Sequence, residues 1–116
     1  MIEQRKFIRL KAPIGVIYKH LKKGKRTRSN PTLLKDLSGG GVRIVVKEEM
    51  RVGDLLDIRI EIPHLHEAIH AIVEVAWYSP AKDKMHAGGE AGMRLRDIKP
   101  NDLHRILEYV HTIGIG

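Results

Sequence analysis

Leu56-Asp57-Ile58-Arg59-Ile60-Glu61-Ile62 alternates aliphatic and charged side chains without a break. Successive side chains of an extended chain point to opposite faces, so Leu56, Ile58, Ile60 and Ile62 belong to a buried face and Asp57, Arg59 and Glu61 to water. A sheet buried on one side and wet on the other is characteristic of antiparallel pairing. Val52-Gly53-Asp54 reads as the turn leading in, and Pro63 ends the strand.

The same period recurs on both sides of this stretch. Val42, Ile44 and Val46 alternate with Arg43, Val45 and Lys47; Pro31 and Thr32-Leu33-Leu34 lead a strand into a turn at Asp36; Ile14, Val16 and Tyr18 mark another strand over residues 13–19. Residues 68–77 fit two periods, with Ile69, Ala71, Val73, Val75 and Trp77 matching a strand and Ile69, Ile72, Val73 and Ala76 matching a helix. Their β-branched content favours the strand, which places Trp77 at the end of an apolar face as core or rim packing. Residues 79–89 form a polar loop and 90–96 a last strand. After Pro100-Asn101-Asp102 the period becomes helical, with Leu103, Ile106, Leu107 and Val110 expected to pack on the sheet. The predicted class is all-β: a small six-stranded antiparallel (split) β-barrel over residues 12–116, closed by one C-terminal amphipathic α-helix. Residues 1–11 carry Arg5, Lys6, Arg9 and Lys11 ahead of the apolar pattern and read as a flexible N-terminal arm.

At 116 residues the chain suits one domain with its own core. The absence of cysteine excludes disulfide and thiolate chemistry. No apolar run reaches bilayer-spanning length, and Met-Ile-Glu-Gln-Arg-Lys lacks the apolar stretch of a signal peptide, so a soluble, cytoplasmic protein is expected. The formal net charge of +7 implies attraction to an anion. Much of the excess sits in Lys22, Lys23, Lys25, Arg26 and Arg28, which read as a solvated loop tip because no aromatic side chain is interleaved for base stacking.

Two short motifs carry the chemistry: Arg5-Lys6-Phe7-Ile8-Arg9 and Asp36-Leu37-Ser38-Gly39-Gly40-Gly41. In this order they resemble the signature of the PilZ family, Arg5 and Arg9 matching its R-x-x-x-R element and Asp36, Ser38 and Gly41 its D/N-x-S-x-x-G element. Val52-Gly53-Asp54 and its strand look like the family's middle segment. Gly92-Met93-Arg94-Leu95 looks like its late G-x-x-F element, with Leu95 in place of the aromatic. The resemblance implies a receptor for cyclic di-GMP, with Arg5, Arg9, Asp36, Ser38 and Gly41 as ligand-binding residues. The residue types suit that ligand. A guanidinium can fork onto a phosphate, lie flat on a purine or meet guanine O6 and N7. The Asp36 carboxylate accepts from guanine N–H donors that adenine does not reproduce, and Ser38 adds a rotatable hydroxyl. The glycine run lets the backbone take positive φ and approach an anion closely.

The resemblance further implies that the arm closes over the ligand and that an effector protein reads the change, since no second domain is expected in this chain. No cofactor is expected, and one nucleotide or a stacked pair both remain open. Three other chemistries are set aside. His64, His66 and His70 have zinc-compatible residue types but follow a proline, with no cysteine to complete a set. Ser38 has no histidine near it in sequence to act as base, and no P-loop or zinc-protease spacing occurs, so catalysis is not expected. The rival reading, a basic β-barrel binding single-stranded nucleic acid, needs stacking aromatics, and these are only 4% of the chain.

Overall fold

The computed structural model describes residues 8–21, 28–37, 40–63, 65–82 and 88–115, with the side chains of 8–13 and 113–115 outside that description. Six strands precede one helix: β1 (Ile8–Leu21), β2 (Ser29–Leu37), β3 (Gly41–Val46), β4 (Leu55–Glu61), β5 (Ile69–Pro80), β6 (Gly89–Ile98) and α1 (Pro100–Ile115). All pairings are antiparallel. The order β1-β2-β3-β6-β5-β4 closes on itself through β1 and β4, giving the barrel that the two-residue period predicts. Residues 68–77, ambiguous in period, lie in strand apart from Ala68.

The inward positions form one core. Leu56, Ile58, Ile60 and Ile62 are all buried, and meet Val16, Tyr18, Leu37, Val42, Ile44, Ile69, Val73 and Val75. Burial of this aliphatic set is the main force holding the barrel shut. Polar groups are carried inside as well: the Tyr18 hydroxyl accepts a 2.9 Å hydrogen bond from the Lys47 N–H. Burial pushes the Tyr18 phenol up to about 12, opposed by the Lys47 N–H and reinforced by the Glu48 carboxylate. The turn before β4 is pinned by Asp54, whose carboxylate accepts from the Arg51 N–H at 2.9 Å and pairs with His20 Nε2 at 3.1 Å.

Three details depart from the sequence pattern. Strand β1 begins at Ile8, so it takes in residues 8–11 of the expected arm. Strand β2 runs through Leu37, which makes Asp36 a strand residue rather than a turn residue. On α1, Ile106 is fully buried with Tyr109 and Val110 packed beside it, while Leu107 is 48% exposed. Positions 106, 109 and 110 share one stripe of a 3.6-residue helix, and 107 lies a quarter-turn away. Among the described residues no helix is long and apolar enough to cross a membrane.

Candidate functional site

Two β-bulges decide what the outer face presents. Between β2 and β3 the partners are Leu34 with Ile44, Asp36 with Arg43 and Leu37 with Val42, so β2 carries one extra residue, Lys35. Strict alternation from buried Leu34 would turn Asp36 inward. The bulge shifts the phase, sending Leu37 into the core and Asp36 onto the outer face beside Arg43. On β5 the partners are Val75 with Met93 and Trp77 with Gly92, leaving Ala76 as the extra residue. Trp77 thereby leaves the buried series Ile69, Ala71, Val73, Val75 and is 43% exposed. Its alternation with that series predicts core or rim packing, and the bulge is the physical reason the ring faces out instead.

The register joins these residues into a row. Arg9 on β1 stands opposite Asp36 on β2, Asp36 opposite Arg43 on β3, Arg43 opposite Gly92 on β6, and Gly92 opposite Trp77 on β5. Within the row, Arg43 Nε lies 2.6 Å from Asp36 Oδ2, and Arg43 Nη1 donates to Glu90 Oε1 at 3.1 Å. The Arg43–Asp36 contact is an ion pair.

Glycines set how closely the neighbouring strands and the indole approach. A Cβ at Gly41 would stand 2.2 Å from the Met93 carbonyl oxygen, and one at Gly92 would stand 2.0 Å from Trp77 Nε1. Gly41 opens β3 without positive φ; close approach to β6, not a left-handed turn, is what requires glycine there. The Gly40 carbonyl accepts from the Leu95 N–H at 3.1 Å, tying the glycine run to β6.

Above these glycines is an open pocket of about 560 Å³, with Asp36, Gly41, Arg43, Trp77, Gly92 and Arg94 among its lining residues. Arg94 is exposed and, among the described residues, makes no ion pair. The pocket therefore offers a carboxylate, an aromatic ring and a cation. Of the residues expected from the motifs, Asp36 and Gly41 line it. Arg9 is placed by register one strand away, its side chain outside the described residues; Arg5 and Ser38 lie outside them altogether. The motifs assign no site role to Arg43 or Trp77, and Gly92 and Arg94 enter the sequence reading only within the late G-x-x-F match; all four join the site through cross-strand register. His64 and most of the basic stretch, residues 22–27, also fall outside the described residues, while His70 Nε2 pairs with Asp57 Oδ1 across β4 and β5.

The PilZ domain family matches residues 3–112. Among solved structures, the fold is similar to the inhibitor of motility MotI/DgrA from Bacillus subtilis, with TM-score 0.72 and 19% identity over 98% of this chain and 53% of that one. It is also similar to the PilZ domain with c-di-GMP of YcgR from Escherichia coli, with TM-score 0.66 and 15% identity over 97% and 93%. The longer YcgR complex with c-di-GMP gives 0.68 and 15% over 98% and 47%. This chain spans about half the length of MotI/DgrA. At these identities the likeness is one of fold. No curated protein matches the chain.

Proposed function

The chain belongs to the PilZ domain family, and on that premise we propose that it is a receptor for cyclic di-GMP that binds the ligand without chemically altering it. The observation that carries this reading is the pocket in which the Asp36 carboxylate shares one space with the Trp77 ring and Arg94. Guanine supplies N–H donors for the carboxylate and a π-face for the indole. Two phosphodiesters supply the anions for arginine.

In this reading Arg5 and Arg9 clamp phosphate and purine from the N-terminal side, Asp36 reads the guanine edge, and Ser38 and Gly41 line the floor. Trp77 stacks a base, and Arg94 meets a phosphate. The segment ahead of the barrel is the switch: ordering it costs on the order of 1–2 kcal/mol per residue, which charge-assisted hydrogen bonds to the ligand offset. The changed surface then engages an effector protein. Single-stranded nucleic acid is the weaker alternative, since Trp77 is the one exposed aromatic among the described residues and successive bases need successive platforms.

Calorimetric titration with cyclic di-GMP tests the proposal and returns affinity and molar ratio together. Saturable binding that resists moderate salt supports it. Absence of heat, or weak binding that falls steeply with salt and ignores base identity, rejects it.

A further inference from the structure

Asp36 does not face the pocket alone, and the group beside it has no part in either sequence motif. We infer that Arg43 is a specificity-determining positioning residue: it fixes the Asp36 carboxylate for guanine while leaving that carboxylate acceptor capacity for the base. The inference rests on the cyclic di-GMP reading of the same pocket.

Three observations carry it. The bulge at Lys35 puts Asp36 and Arg43 directly opposite each other, with Nε 2.6 Å from Oδ2. The far end of the guanidinium is tethered on the next strand, Nη1 to Glu90 Oε1 at 3.1 Å, so Arg43 is braced from both sides and cannot swing freely. Finally, the contact falls on Oδ2, and an ionised carboxylate has about four lone-pair sites, so one ion pair leaves acceptor capacity for a base's N–H groups. A carboxylate on a bare strand would rotate about its own side-chain bonds and lose selectivity. The alternative role for Arg43, a phosphate anchor, is disfavoured because two carboxylates already surround its single positive charge.

The test compares cyclic di-GMP with cyclic di-IMP, which keeps both phosphates and N1–H but lacks the 2-amino donors. Both are titrated into wild type, Arg43→Lys and Glu90→Gln, with thermal melting run in parallel. Lysine keeps the charge but lacks the planar fork that spans Asp36 and Glu90. In Arg43→Lys the preference for cyclic di-GMP over cyclic di-IMP should fall roughly tenfold, chiefly through weaker cyclic di-GMP binding. Glu90→Gln, which weakens the tether by removing its negative charge at a partly exposed position, should shift the same ratio the same way by about threefold. An unchanged ratio in either folded variant, or equal weakening of both ligands, overturns the inference while leaving the receptor reading intact. Wild type that binds neither ligand removes the receptor reading and this inference together. Glu90→Gln keeps the test decisive should Arg43→Lys fail to fold.

Discussion

The indole of Trp77 lies across Gly92, the residue opposite it on β6, so closely that no side chain fits beneath it. The glycine is the seat of the ring. An exposed tryptophan on a strand ordinarily samples several rotamers, and contact with a bare backbone gives this one a defined plane beside Asp36 and Arg94.

Trp77→Ala should therefore weaken cyclic di-GMP binding by about 1–3 kcal/mol, the usual worth of a base–aromatic stack. Gly92→Ala should lift the ring and cost part of the same affinity. Trp77 is the sole tryptophan of the chain, so ligand titration should quench its emission in wild type and less so in Gly92→Ala. Affinity unmoved by Trp77→Ala removes the ring from the site.

Arg9 stands opposite Asp36, at the edge of the pocket, and Arg5 lies four residues before it. Arg9→Ala and Arg5→Ala should each weaken binding by about 1.5–3 kcal/mol, the worth of hydrogen bonds to charged groups. Neither should shift the melting temperature of the free protein by more than a degree or two. A large drop in melting temperature would show that the arginines serve the fold rather than the ligand.

Asp36→Ala should remove discrimination more than affinity. Cyclic di-GMP binding should weaken about tenfold or more while cyclic di-AMP binding changes little, since only guanine offers N–H donors to the lost carboxylate. Competition titrations with the two nucleotides measure this directly, and equal losses would argue against base reading.

Two glycines should respond in opposite order to what backbone conformation alone suggests. Gly53 has φ 96° with open space around it, so Gly53→Ala meets only left-handed strain, about 1–2 kcal/mol. Gly41 has no such φ, yet its Cβ would overlap the Met93 carbonyl, and Gly41→Ala must part β3 from β6. Denaturant melts should show Gly41→Ala as the more destabilised of the two.

Tyr18 supplies a pH dependence. Its phenol is raised from 10.0 to about 12 in the fold, so the neutral form is favoured there. The stabilisation is complete below pH 10 and is lost as pH rises from 10 towards 12, where tyrosinate must be buried. Near neutral pH, Tyr18→Phe should be less stable than wild type by about 1 kcal/mol, because the Lys47 N–H loses its acceptor. That deficit should shrink across pH 10–12 in paired melts, and a constant difference would deny Tyr18 its part.

The barrel was legible because its strands follow the two-residue rule where it matters most: Leu56, Ile58, Ile60 and Ile62 face inward as their spacing requires. Part of the pocket was legible too, since Asp36 and Gly41 belong to a local motif. The remainder comes from pairing between distant segments. Nothing near Trp77 in sequence marks Ala76 as an extra residue, and without that bulge the ring belongs to the buried series. Arg43 looks like any outward charge on an alternating strand until Asp36 and Glu90 arrive from neighbouring strands. On α1, the exposed Leu107 shows a similar limit: periodicity names a stripe, and packing chooses which of its margins is covered.

The rungs between β1 and β4 start only at Gly15, so, among the described residues, 8–13 pair along one flank, with β2. Peeling residues 8–13 away would break the Ile8–Leu37 and Arg9–Asp36 rungs yet leave the buried Ile14 and every rung to β4 in place. Such an opening would leave the core covered, and its cost would scale with a few rungs rather than with the stability of the whole.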